Sequence, residues 1–89
     1  MKIKIENKVY ELKECRYLSK IRGLMFSKKK NLIFNLNNKR EVIHGLFVFF
    51  PIKLYFLDEN FKVLEKGILK PFRIYIPKVK AHYLAEIPF

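Results

Sequence analysis

The chain has 89 residues, nineteen of them basic and eight acidic, for a net charge of +11; half are hydrophobic and one is cysteine. That length supports one domain, residues 1–89, able to bury a little over ~60% of the surface its unfolded form exposes, and one cysteine excludes an internal disulfide. A spanning helix needs ~20 consecutive apolar residues, whereas the long apolar stretch from Val42 to Leu57 is interrupted by His44, Gly45, Pro51 and Lys53.

The N-terminus MKIKIENKVY alternates charged and apolar residues and has no continuous apolar core of a signal peptide, so a cytoplasmic location is expected. Lys2–Ile5 reads as a half-exposed strand, Glu6-Asn7-Lys8 as a short turn, and Val9–Cys15 as the hairpin partner, with Tyr10 and Leu12 inward. Leu18, Ile21, Leu24 and Met25 then fall on one face of a helix near residues 17–25, kept brief by Gly23 and the lysines at 28–30. Asn31–Leu36 is a strand with Leu32, Phe34 and Leu36 on one side and a mostly polar Asn31, Ile33, Asn35 side. Asn37-Asn38 follows as a hairpin turn, because Asn tolerates positive φ.

Val42–Asp58 is the stretch the other segments must cover. Twelve of the sixteen residues from Val42 to Leu57 are aliphatic or aromatic, and both alternating sides are apolar, which predicts a strand buried on both faces. Pro51 cannot donate a ladder hydrogen bond, so two arms are expected, Leu46–Phe50 and Lys53–Leu57. Asp58-Glu59-Asn60 is a second turn, Phe61–Leu69 a returning strand, Arg73–Pro77 a short strand, and Ala81–Pro88 the closing segment. Together these predict an all-β or β-dominated fold of about six to eight strands, a curled, partly open antiparallel β-barrel with one short helix. The expected core is Ile3, Ile5, Leu12, Leu24, Phe34, Phe47, Phe49, Leu54, Phe56, Val63 and Leu84.

The charge is uneven: residues 1–30 carry +7, residues 31–60 are neutral and residues 61–89 carry +4. Fifteen of the nineteen bases are lysine. Specific phosphate readers rely more on the planar fork of arginine, so this excess favours solubility and weak nonspecific attraction to nucleic acid or anionic membrane.

The chain also resembles a known family. RGLMF at Arg22–Phe26 (Arg22, Gly23, Leu24, Met25, Phe26), HGLFVFFPIKLYFLDENFKVLE from His44 to Glu65, KP at Lys70-Pro71 and YLAEIP at Tyr83–Pro88 resemble the domain of unknown function 192 (DUF192) family, in its order and spacing. His44, Phe47, Pro51, Ile52, Asp58 and Pro71 are the other positions that carry the likeness. The resemblance implies a β-rich, partly open barrel with a short helix, and no established activity. One departure is informative: the family usually follows Pro-Ile with aspartate, and here Lys53 reverses that charge.

Candidate chemistry is sparse. Cys15, His44 and Asp58 are the residue types of a thiol nucleophile, base and orienting acid, but a lone cysteine is more often a small buried hydrophobe. His44 and His82 lack acidic or thiol neighbours at ligand spacing, so no metal and no cofactor are expected. Arg22 is suited to binding carbonyls at a helix end and His44 to pinning a strand entrance; the functional alternative makes Arg22, His44 and Arg73 an anion-binding set. Lys28-Lys29-Lys30 reads as a solvated loop. Nucleic-acid binding would need outward aromatic side chains among the bases, for which Tyr17, Tyr55 and Tyr75 are candidates. The reading is a non-catalytic binding or interaction module for a protein or anionic ligand; the alternative is a weak, charge-driven RNA or single-strand-binding β-barrel.

Overall fold

The computed structural model describes residues 1–15, 31–44 and 50–88. The expected helix at 17–25, the Arg22–Phe26 motif and most of the Leu46–Phe50 arm, Phe47 and Phe49 included, lie outside the described residues. Strands dominate the remainder, and nine are present among the described residues, more than the sequence suggested. They are β1 (Lys2–Ile5), β2 (Lys8–Glu11), β3 (Lys13–Cys15), β4 (Leu32–Lys39), β5 (Ile43–His44), β6 (Ile52–Leu57), β7 (Val63–Leu69), β8 (Ile74–Tyr75) and β9 (Ala81–Pro88).

The first two strands form a hairpin where one is expected, with Ile3 opposite Tyr10 and Ile5 opposite Lys8. Its second strand, however, ends at Glu11 rather than running to Cys15, and Lys13–Cys15 joins the larger sheet. The hairpin turn places Glu6 and Asn7 at φ 50° and 68°, positive at both central positions as a right-twisting two-residue hairpin requires. The larger sheet has the order β3-β4-β9-β6-β7. Only its first pair, β3 with β4, is parallel, so the sheet is not wholly antiparallel as expected. A parallel pair needs a crossover connection of a dozen or more residues, and the chain between Cys15 and Leu32 has that length.

Asn37-Asn38 does have positive φ, 53° and 58°, yet it makes no hairpin. The strand runs on to Lys39 and pairs with β9, with a register shift between Asn35 and Lys39. The left-handed residues are absorbed by a bulge instead of a chain reversal, and Asn35 Oδ1 accepts the Asn37 N–H at 2.8 Å. The Asp58 turn does form. The carboxylate oxygen Oδ1 accepts from Asn60 N at 2.8 Å and Lys62 N at 2.9 Å, and β7 returns antiparallel to β6.

Both faces of the five-stranded sheet carry a buried apolar cluster. Leu32, Phe34, Leu36, Ile52, Leu54, Phe56 and Leu84 bury one face beneath Ile43 of β5. On the other, Ile33, Tyr55, Leu57, Ala85 and Ile87 lie against Ile3, Ile5 and Leu12 from the N-terminal segment. The two-sided burial expected of the central stretch therefore holds over Ile52–Leu57. Ile33 departs from expectation, because its side of β4 is covered by the hairpin. Of the expected core, Ile3, Ile5, Leu12, Phe34, Leu54, Phe56 and Leu84 are buried; Val63 is half-buried against the hairpin-side cluster; Leu24 lies, with Phe47 and Phe49, outside the described residues. The three sheets do not close on one another. The molecule is a partly open β-barrel whose sheet faces are covered by the β1–β2 hairpin and the β5–β8 ladder.

Candidate interaction surface

A single tyrosine sets how the second cover lies. After β7 the chain turns at Lys70–Arg73, where Arg73 N donates to Lys70 O at 3.2 Å, and β8 then pairs antiparallel with β5, Ile43 opposite Tyr75 and His44 opposite Ile74. Tyr75 points inward. Its ring stacks on Phe56 with centroids 5.7 Å apart and lies over Gly67, where even a methyl group would overlap it. The Tyr75 hydroxyl donates to Glu65 Oε2 at 2.6 Å. Glu65 Oε1 in turn accepts the backbone N–H groups of Lys78 at 2.8 Å and Val79 at 3.2 Å. Burial, then the bond to Glu65 and its charge, push the Tyr75 hydroxyl up to about 12. Tyr75 is therefore a fixed neutral donor, and Glu65 a clasp that holds the segment leading to β9.

Side chains alternate along an extended chain, so seating Tyr75 inward turns its neighbours out. Pro77 is buried, while Phe72, Ile74 and Ile76 are 56%, 52% and 59% exposed. Continuing the β5–β8 register by one step sets exposed Val42 beside Ile76. Around this stripe Arg40, Lys70, Arg73, Lys78 and Lys80 are exposed, and Glu41 is the one exposed carboxylate in segments 40–42 and 70–80. Scattered exposed aliphatics are ordinary on a protein surface; a row of them is less so.

No protein-family model matches the chain. It is 42% identical over 76 residues to a UPF0127 protein of Pyrococcus horikoshii and 38% identical over 76 residues to one of Pyrococcus furiosus, each match covering 81% of this chain. Its homologues are UPF0127 proteins. The match covers 66% of each Pyrococcus relative, and a similar UPF0127 protein of Thermococcus sibiricus, 32% identical, is covered over 50% of its length. The chain thus spans just under two thirds of the first relatives and half of the last. A crystal structure of a protein of unknown function from Novosphingobium aromaticivorans superposes with a TM-score of 0.74 at 17% identity, covering 90% of this chain and 64% of that one. This shows the fold, and UPF0127 remains an uncharacterised family.

Against that background the candidates from the sequence separate. The β5–β8 ladder brings two of the three anion-set positions together, since His44 pairs with Ile74 and exposed Arg73 is the next residue. Arg22, Gly23, Leu24, Met25 and Phe26 lie outside the described residues, as does Phe47. Pro51 is exposed ahead of buried Ile52, and half-buried Pro71 sits in the turn before Arg73. Cys15 and Asp58 do not meet. Cys15, Phe34, Leu84 and Phe56 stand in one row across β3, β4, β9 and β6. Three strand spacings put about 14 Å between the ends of that row, and Asp58 lies beyond Phe56 with Oδ1 committed to its own turn. His82 packs edge-on against Tyr83, centroids 4.6 Å apart, and lines a 390 Å³ cleft with Asn38, Asp58, Glu59 and Leu64. Among the described residues no group of three or more His, Cys, Asp or Glu can hold a metal, and no helix is long and apolar enough to cross a membrane.

Lys53 lines a shallow 430 Å³ cleft with Glu6, Tyr55, Lys66, Gly67 and Ile68. Lys66 Nζ donates to Glu6 Oε2 at 2.8 Å, which holds the Glu6 carboxyl below its ordinary value and the Lys66 ammonium above its own. This exposed pair ties the hairpin turn to β7. The sequence reading missed both this tie and the Phe72–Ile76 stripe. The stripe was visible only as alternation in FRIYIP, with apolar residues on both sides and nothing local to say which side faces out.

Proposed function

We propose that this chain is a single-domain, non-catalytic interaction module that binds a protein segment or anionic ligand on the outer face of its β5–β8 ladder. We also infer that the DUF192 resemblance and the UPF0127 homologues describe one family, since both cover most of the same chain. The observation that carries the reading is the row Phe72, Ile74, Ile76 within a cationic surround that includes Arg73. An apolar centre with a charged rim is the anatomy of a contact surface. Arg73, next in the chain to Ile74, the register partner of His44, supplies the anion-facing end, and Arg22 is assigned to the same set.

The alternative, charge-driven binding of RNA or single strands, needs outward aromatics for base stacking. Tyr55 is buried and Tyr75 is turned inward beneath Glu65, so two of the three tyrosines suited to stacking are otherwise engaged. Methyl and amide NMR titrations with a Glu/Leu-rich peptide, a phosphate and sugar-acid panel and a short oligonucleotide test the choice. The expected result is a shift confined to Phe72–Ile76 and Arg73 with the peptide or a small anion, lost in Arg73→Glu. Oligonucleotide binding that survives physiological salt, with this face unmoved, would transfer the function to the alternative.

A further inference from the structure

The nature of the anionic partner follows from the form of the stripe. The Lys70–Arg73 turn carries Phe72 at its tip with φ 60°, a left-handed position where glycine or asparagine is the ordinary residue and phenylalanine is strained. The residue is nevertheless more than half exposed. The strained turn sets this exposed aromatic in the chain between two exposed cations, Lys70 and Arg73. Ile74 and Ile76 continue the apolar line, and Lys78 and Lys80 close its far end. Neither of the two described clefts is lined by these residues.

We propose that the 70–80 edge seats on an anionic lipid surface. Phe72, Ile74 and Ile76 enter the headgroup boundary, and Lys70, Arg73, Lys78 and Lys80 meet the lipid phosphates. The inference rests on the interaction-module reading and names its partner. Charge complementarity argues for it: the 70–80 segment carries four exposed cations and no carboxylate, Glu41 is the one exposed carboxylate of the adjoining 40–42 segment, and Glu65 is committed to Tyr75 and the Lys78 and Val79 amides. Residue type favours lipid over protein. Protein interfaces are depleted in lysine, whereas three of these four cations are lysine, whose long stems let the charge stay at headgroup level while apolar neighbours go deeper. An apolar row flanked by cations is what a peripheral lipid-binding surface needs, each cation near the membrane raising partitioning about fivefold.

Co-sedimentation tests it directly. The whole chain is mixed with vesicles of phosphatidylcholine and phosphatidylglycerol in equal parts, and with vesicles of phosphatidylcholine alone. Pelleting with the mixed vesicles only, weakened by salt, is expected. Phe72→Gly relieves the positive φ, so it should fold at least as well as the wild type while losing several-fold in partitioning; Ile74→Ser with Ile76→Ser should lose more, and Lys70→Glu with Arg73→Glu should lose at least tenfold. Free glycerol phosphate, which has the headgroup charge and no acyl boundary, should not compete at millimolar concentration. Absence of pelleting, or pelleting unchanged by the apolar substitutions, would overturn the proposal. If vesicles fail but the Glu/Leu-rich peptide still shifts Phe72–Ile76, lipid is the wrong partner and the interaction-module reading stands; if neither does, both fall.

Discussion

The two covers of the sheet do the same structural task with opposite outer surfaces. The β1–β2 hairpin turns Ile3 and Ile5 onto the sheet and presents Lys2, Lys4, Glu6 and Lys8 to solvent, with Val9 as a single aliphatic exception. The β5–β8 ladder turns Ile43 and Tyr75 inward and presents Val42, Ile74 and Ile76. Covering a core explains an apolar inner side and says nothing about an apolar outer one. The hairpin shows what this sequence places on an outer side when only solvent is there. The proposed contact surface on the ladder rests on this contrast, which can be attacked from the core outwards.

The largest effect is expected under the ladder. Phe56 is fully buried and stacks on Tyr75, so Phe56→Ala should cost ~3–5 kcal/mol by denaturant unfolding. A loss below ~1 kcal/mol would mean that the ladder does not rest on this ring. Gly67→Ala comes next. The added methyl overlaps the Tyr75 ring, and overpacking of this kind costs ~1–3 kcal/mol. Hydrogen exchange should show the ladder loosened while the hairpin keeps its protection; equal loosening of both covers would erase the distinction between them.

Tyr75→Phe keeps the ring and removes the hydroxyl, leaving Glu65 without one of its donors, for an expected loss of ~1–2 kcal/mol. The pH dependence has a definite sign. The folded state holds the Tyr75 proton up to about 12, above the ordinary value of 10.0. Its contribution to stability is therefore full below pH 10 and lost as pH rises through about 12. Tyr55, raised chiefly by burial, acts in the same direction. Alkaline unfolding of Tyr75→Phe should be correspondingly less steep than that of the wild type. An identical alkaline limb in both proteins would assign the effect elsewhere.

How much of this was legible in the sequence depended on range. Alternation over four residues correctly placed Ile3, Ile5 and the hairpin turn, and the apolar run at Ile52–Leu57 correctly signalled a strand buried on both faces. The middle strand of the sheet, however, is β9, which reads as a mere closing segment. Its buried positions include Ala81, Ala85 and the fully buried Glu86, small or polar residues that dilute the hydrophobic signal of a central strand. Glu86 stands in register with Leu32 and Leu54, and among the described residues no buried side-chain nitrogen or oxygen lacks a hydrogen-bond partner. Positive φ at Asn37-Asn38 was legible; whether it made a turn or a bulge depended on a partner strand some forty-five residues on. The outward face of β8 was equally non-local. Tyr75 is inward because Gly67 leaves it room and Glu65 accepts its hydrogen bond, and neither fact is contained in FRIYIP itself.

The smallest effect is expected where the hairpin is tied down. Glu6 and Lys66 form an exposed pair at 2.8 Å, and solvent screens such pairs so strongly that they contribute little net stability. Glu6→Gln should leave the unfolding midpoint nearly unchanged, with any difference erased by salt. Because Lys66 holds the Glu6 carboxyl below its ordinary value, whatever the pair contributes is present above that ordinary value and fades as pH falls through the lowered one. The comparison sharpens if the same variant leaves vesicle binding intact: the hairpin side would then be shown to carry charge without contact, while the ladder side carries both. Conversely, if Glu6→Gln raises vesicle binding as much as Ile74→Ser with Ile76→Ser lowers it, the cations freed around Lys53 and Lys66 would be part of the lipid surface. The contact region would then extend across the β7 edge to the hairpin, and the two covers would cease to be opposites.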